Sequence, residues 1–401
     1  MISSASTPPL HGLTVLDFTR VLSGPYCTML LADMGARVIK VEHPGHGDDT
    51  RGWGPPFQGS ESAYFLSVNR NKQSITLDLK NAAAREIVGR LLDGADVLVE
   101  NFRPGTMERL GFGYETLAER YPRLVYCSIS GFGQTGPRSS QAGYDAVIQA
   151  EGGLMSITGD ADGPPYRLGV AIADIVSGMF AAQGISVALL ARERTGRGQL
   201  VDIGMLDATT ALLTYQAAIC FATGMPPKRM GNRHPTIVPY ETFVAADGEI
   251  VIAVGNDEQW CRFCDAIGAP ALATDSRYAT NRLRVENYQE LRPTLSERLA
   301  ERTRDEWLGD FKTAGVPSGA VRDVAEVLED PQILVREMVA SVEHAALGSV
   351  RVLGVPIKLS QNPGSVRTGP PTLGQHTDEV LRQDLGFTDS DIRLLRDKRA
   401  I

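Results

Sequence analysis

An aspartate set among small apolar side chains is the first place in this sequence where chemistry could be done. Asp174 lies in LGVAIADIVSGMF, among neighbours too small and apolar to solvate a carboxylate well. Poor hydration leaves carboxylate oxygens reactive, and a following helix N-terminus favours the ionised form, so the position suits a nucleophile. On local sequence the plainer reading is an N-cap for the helix that follows. Asp17 with Thr19-Arg20, and the run Glu100-Asn101-Phe102-Arg103-Pro104-Gly105, each follow an apolar stretch, where ordinary caps or turns are the plain alternative. Gly131-Phe132-Gly133-Gln134-Thr135-Gly136 has the spacing of a phosphate-cradling loop, but Pro137-Arg138-Ser139-Ser140 follows instead of a helix. A flexible loop over a reaction centre fits it as well. Cys261 and Cys264 form a C-x-x-C with no second pair, and with Trp260 and Phe263 they read as a buried helix face. The six histidines include no H-E-x-x-H or other close ligand spacing, so no metal site is expected.

These residues need elements to bring them together. The runs LTVLDF (13–18), ARVIKVE (36–42), SITLDL (74–79), DVLVENF (96–102) and RLVYCSIS (123–130) alternate with segments of helical periodicity. One such segment holds Leu30, Leu31 and Met34, and another is ERLGFGYETLAERYP. Apolar runs without polar alternation need cover on both faces, which predicts an α/β fold with a buried parallel sheet and crossover helices. DIVSGMFAAQGISVALLARERTGRGQ reads as a long buried helix ending at Thr195-Gly196, and QLVDIGML as a strand feeding a helix to about Ala222. The Pro-, Gly- and Arg-rich stretch 223–240 breaks the pattern and reads as a linker. Beyond it, ETFVAADGEIVIAVG predicts a hairpin at Asp247-Gly248, with helices near 256–266, 287–301 and 304–314, a small α+β domain over 241–330. Glu42, ending the second strand, sits where a ribose-binding acid would, but the glycine code of a dinucleotide fold is missing before it.

Composition narrows the classes. The 401 residues are 43% hydrophobic and carry 40 Lys+Arg against 48 Asp+Glu, a globular balance with net charge −8. The negative balance argues against general nucleic-acid binding and leaves small anionic ligands plausible. No export signal or uninterrupted run of about 18 apolar residues is present, so no membrane association is expected. Five sparse cysteines fit a reducing, cytoplasmic setting.

The strings VLDFTRVLSGPYCTMLLADMGARVIKVEHPGHGDDTRGWGPPF, SVNRNKQSITLDLK, VENFRPG, SISGFGQTGP, GVAIADIVSGMFAAQGI and PPTLGQHTDEVL, in that order, resemble the class III coenzyme A transferase family over nearly the whole chain. The resemblance implies a Rossmann-like large domain built from 1–222 and 331–401, a small inserted domain, and an interlaced homodimer. It implies that Asp174, in a G-(x)n-D-(x)3-G context, attacks an acyl-CoA thioester to give a mixed anhydride and then an enzyme thioester. Coenzyme A would enter as a substrate, with no metal or redox cofactor. Its contacts would be Val21, Leu22, Ser23, His43, Leu77, Asp78, Leu79, Lys80, Asn101, Phe102, Arg103, Arg109, Ala142, Gly143, Tyr144, Asp145 and Met205.

The sequence also departs from parts of the family. Leu22 and His43 stand where formyl-CoA transferases usually have Gln and Arg, which argues against a formyl/oxalyl pocket and leaves Lys40, Arg70 and Lys72 as alternative phosphate cations. The racemase branch needs a His in a G-H-D context as second proton carrier, and Gly143-Tyr144-Asp145 lacks it. HPGHGDDTRGWGPPF and MGNRHPTIVPYETF most resemble the enzymes that move CoA from succinyl-CoA to glutarate, itaconate, mesaconate or citramalate. A distal carboxylate there wants a cation, for which Arg51, Arg233 and His234 are candidates. Other carboxylic acceptors, or a non-catalytic CoA- or NAD-binding protein, are the alternatives.

Overall fold

In the computed structural model, which describes residues 7–401, the N-terminal alternation builds one six-stranded sheet. Its strands are β1 (Thr14–Asp17), β2 (Arg37–Glu42), β3 (Lys72–Thr76), β4 (Val97–Glu100), β5 (Val125–Ser130) and β6 (Leu200–Gly204). They lie in the order β3-β2-β1-β4-β5-β6 with every pair parallel. The helices that concern the site are α1 (Ser23–Asp33), α2 (Ala82–Leu92), α3 (Asp145–Glu151), α4 (Ile172–Thr195), α5 (Met205–Ala211) and α6 (Thr214–Thr223).

Both sheet faces are covered, as unbroken apolar strands require. Leu16, Ile39, Ile75 and Leu98 pack with Ile87 and Leu91 of α2. On the other face Val15, Val38, Val97 and Val125 meet Leu31 of α1 and Ala181 and Ile185 of α4. Helix α4 is long and apolar enough to cross a bilayer by composition, yet half of its most apolar window is buried within the fold. From β1 the chain steps outward to β2 and β3, then returns to β4 on the other side of β1. Loops leaving β1 and β4 therefore diverge, and a crevice opens at their carboxyl ends.

Two helix expectations are corrected. The segment from Met205 to Ala222 is not one helix but α5 and α6, bent by 73°, with Thr214, the first residue of α6, at φ 37. ERLGFGYETLAERYP likewise divides into Thr106–Leu110 and Tyr114–Arg120, because Gly111 adopts φ 86 and ends the first turn.

The chain forms two compact units, one of residues through 154, 167–218 and 331–401, the other of 155–166 and 219–330. The second holds an antiparallel sheet of β7 (Tyr240–Ala245), β8 (Gly248–Ala253) and β9 (Ser318–Ala320), in the order β9-β8-β7. Helices Asp257–Ala266, Tyr288–Leu299 and Arg304–Ala314 cover it, with Phe243, Ile252, Trp260, Phe263, Trp307 and Phe311 buried between. Cys264 is in that core, and burial pushes its thiol up to about 12, which suits packing rather than redox work. The first unit ends with a hairpin of β10 (Val339–His344) and β11 (Gly348–Leu353) and two further helices.

Candidate active site

Every strand of the parallel sheet delivers candidate residues just beyond its carboxyl end. Two cavities open there, of about 410 and 170 Å³, and Arg20 and Phe102 line both. The larger is lined by His43 after β2, Leu77, Asp78, Leu79 and Lys80 after β3, and Phe102 and Arg109 after β4. Around the smaller stand Val21 and Ser23 after β1, Asn101, Phe102 and Arg103 after β4, Ala142, Gly143 and Tyr144 from the loop after β5, Met205 after β6, and Asp174. Of the sequence candidates for this unit, Leu22, Asp145, Arg51, Lys40, Arg70 and Lys72 line neither. Leu22 is buried in an apolar cluster with Met29 and Val68.

Asp174 is the third residue of α4, whose N-cap is Ala171, so the capping reading is corrected. The cap function falls to Asp145, whose Oδ1 accepts the Ala173 N–H at 2.9 Å while Oδ2 accepts from Gln149 Nε2 at 2.7 Å. The expectation that the helix keeps Asp174 fully ionised is corrected too. Burial, reinforced by the charge of Asp145, pushes its carboxyl up to about 7, and a hydrogen bond from Ser23 offsets only part of this. Ser23 is close because Gly178, one turn further along α4, lets the helices touch. A Cβ at Gly178 would stand 2.5 Å from the Ser23 carbonyl oxygen.

The turn after β1 is held from several sides. Lys40 Nζ donates to the Thr19 carbonyl at 2.8 Å, and Asp48 Oδ1 accepts the Val21 N–H at 3.2 Å. Asn101 clasps Arg20 reciprocally, accepting its N–H at 2.8 Å and donating to its carbonyl at 2.7 Å. Within this clasp Val21 adopts φ 70, a strained conformation for a β-branched residue.

The cations divide into committed and available ones. Lys40, Arg70 and Lys72, expected as alternative phosphate ligands, are buried and paired with Asp48 (2.9 Å), Asp33 (2.6 Å) and Asp17 (3.2 Å), so that reading is corrected. Arg51 donates twice to Glu42, at 2.7 Å each, and stacks on Phe65 at 3.6 Å. Glu42 is thereby buried and occupied, which removes it as a ribose ligand. Arg233 packs over Tyr288 at 3.5 Å and His234 stacks on Tyr240 at 5.1 Å, all within the second unit. Arg20, Lys80, Arg103 and Arg109 line the cavities instead. The sequence pointed to Arg20 only as a polar residue after a strand. Its place at the sheet reversal is the signal that singles it out.

Two further features exclude dinucleotide chemistry. The loop Gly131–Gly136 does not open a helix, and its Gln134 N–H is taken by the Asp202 carboxylate at 3.0 Å. Gly131 serves close packing, since a Cβ there would meet Gly143 Cα at 2.6 Å. Behind the cavities Glu100 is buried, accepts the Phe102 N–H at 2.8 Å and bonds to Ser128, and burial raises its carboxyl to about 7. The arrangement thus offers a poorly solvated carboxylate in a small polar cavity, joined to a larger one with apolar walls and cations at its rim. That suits covalent acyl chemistry on a long, anionic ligand.

Comparisons with known proteins agree. The profile of CoA-transferase family III matches residues 10–377. The chain is 44% identical over 384 residues to succinyl-CoA:glutarate CoA-transferase from Homo sapiens, covering 96% of this chain and 88% of that one. It is 39% identical over 402 residues to succinyl-CoA–D-citramalate CoA-transferase from Chloroflexus aurantiacus, covering all of both. The crystal structure of a CAIB/BAIF family protein from Brucella suis superposes with a TM-score of 0.84 at 42% identity, covering 94% of this chain and all of that one.

Proposed function

The chain belongs to CoA-transferase family III, and we propose on that premise that it moves coenzyme A from succinyl-CoA to a second dicarboxylate, with Asp174 as nucleophile. The observation that carries this reading is the Asp174 carboxylate, in the first turn of α4, opening on the small cavity beside Ser23. The larger cavity, with Lys80, Arg109 and His43 at its edge, would take the nucleotide end of coenzyme A, and Phe102 the pantetheine between.

The Asp174 carboxylate attacks the thioester carbonyl of the donor, and the CoA thiolate leaves to give a mixed anhydride. The thiolate then attacks the aspartyl carbonyl, succinate departs, and an aspartyl-CoA thioester remains. The acceptor carboxylate opens that thioester to a second anhydride, and the thiolate attacks the acceptor's carbonyl, forming the new acyl-CoA and restoring Asp174. Each step exchanges one acyl bond for another, so no thioester energy is lost to water. Tyr144 lines the cavity where the racemase branch would carry a histidine, which favours transfer over α-proton exchange. A glutarate, citramalate or related acceptor is supported by the named relatives.

We further propose that the enzyme works as an interlaced homodimer in the cytoplasm, with no metal or redox cofactor. The exposed Met179, Val187 and Leu190 on α4 support an apolar contact with a second copy. The test is Asp174→Ala and Asp174→Asn, assayed for dicarboxylate-dependent CoA exchange. Both should lose at least about 10³-fold in kcat while still binding CoA. Exchange at wild-type rate in either variant would refute the nucleophile.

A further inference from the structure

Building on the transferase reading above, we propose that Arg20 binds the distal carboxylate of the dicarboxylate and so sets the preference for diacids over monoacids. Neither the resemblance nor the local sequence assigned it this role. Three independent observations converge on it.

The first is availability. The guanidinium and ammonium groups nearest the sheet reversal are mostly locked away, Lys40, Arg51, Arg70 and Lys72 all in short pairs with carboxylates. Among the described residues Arg20 pairs with one carboxylate, Asp49, at the long distance of 3.5 Å to Oδ2, with both side chains about half exposed. An exposed, single-armed pair of that length contributes little and exchanges readily. Asp49 itself lines the small cavity, so an incoming carboxylate can take over the site that it occupies loosely.

The second is position. Arg20 lines the cavity that holds Asp174 and also faces the larger one, and it leans over the Phe102 ring at 5.0 Å. A diacid whose near carboxyl reacts at Asp174 would place its far carboxyl toward the lining of the same small cavity, which includes Arg20. Arg103, the other cation lining that cavity, is likewise exposed and follows β4. The third is preorganisation. The backbone on either side of Arg20 is clasped by Lys40, Asp48 and both ends of the Asn101 amide, and the clasp forces Val21 to φ 70. Strain sustained by so many bonds points to a turn whose direction matters. A planar guanidinium carried on so fixed a stretch of backbone can match a carboxylate bidentately, which an ammonium cannot do.

The experiment compares glutarate with pentanoate, its monoacid of equal length, as acceptors from succinyl-CoA, in the wild type, Arg20→Gln and Arg20→Lys. The donor's own far carboxylate is common to both assays and cancels in the ratio. In Arg20→Gln the glutarate-to-pentanoate ratio of kcat/KM should fall roughly 10- to 100-fold, the scale of a lost charge-assisted pair. Arg20→Lys should fall between. Titration with free CoA measures the nucleotide site separately. A ratio unchanged in Arg20→Gln overturns the proposal, and an unchanged ratio with weakened CoA binding reassigns Arg20 to a phosphate. A wild type that transfers CoA to neither acid, nor to citramalate or mesaconate, defeats the transferase reading beneath the proposal, and the proposal with it.

Discussion

Asp174 meets two demands that pull in opposite directions. To attack a thioester it must be ionised, and to attack well it must be poorly hydrated, yet the burial that strips its water also holds its proton on up to about 7. The sign follows directly. Below that value the free enzyme carries a neutral, non-nucleophilic acid, so kcat/KM should rise with pH through a midpoint near 7 and level off above it. Asp145→Asn keeps a carbonyl oxygen for the Ala173 N–H but removes the neighbouring negative charge. Its pH–rate midpoint should therefore move to lower pH, and a midpoint that stays in place would contradict the electrostatic account. The residue's type and apolar setting were legible in the sequence, but its raised pKa was not, because Asp145 lies 29 positions earlier in the chain. The same distance hid the true state of the cations. Arg70 finds Asp33, and Lys72 finds Asp17, across separate elements, so a charge that looked available in sequence is spent in a buried pair.

At the scale of elements, the site is made by strand ends and by one close helix crossing. Periodicity located all six parallel strands, since doubly covered strands read as short apolar runs between segments of helical period. It failed at the breaks between α5 and α6 and at Gly111, where a single residue at positive φ decides the path and leaves no mark on the apolar pattern. The D-(x)3-G spacing acquires a physical meaning here. Gly178 is the point at which α4 touches α1, and an added methyl would meet the Ser23 carbonyl at 2.5 Å and the Cys27 nitrogen at 3.2 Å. Both obstacles are backbone, so the helices must separate. Gly178→Ala should lower stability by about 1–3 kcal/mol, read as a fall in Tm. It should also cut kcat/KM at least about tenfold, because Ser23 is drawn away from Asp174. A variant with wild-type Tm and wild-type activity would show that the crossing has slack.

For the whole molecule, strand order matters more than any motif. The order β3-β2-β1-β4-β5-β6 is that of dinucleotide-binding folds, and it puts a crevice at the β1/β4 reversal whatever ligand evolves there. Fold alone therefore says where to look, and the side chains say for what. The absence of a helix-opening glycine loop was visible in sequence, as was the family resemblance. The interleaving of 155–166 with the second unit was not, because that short stretch has no periodicity of its own. The apolar face of α4 makes a prediction at this scale. Sedimentation velocity should give twice the chain mass, and replacing exposed Val187 and Leu190 with Asp together should weaken the assembly, read as a lower Tm. A wild type that sediments at the single chain mass would remove the dimer from the account.

The central claim, that coenzyme A passes through Asp174, is tested most directly by trapping. The protein is mixed with succinyl-CoA, quenched with hydroxylamine or borohydride, and its peptides are weighed by mass spectrometry. The account predicts a hydroxamate or alcohol mass change on the peptide bearing Asp174, dependent on the donor and absent from Asp174→Asn. An active enzyme with an unmodified Asp174, or with the label on another carboxylate, would contradict it.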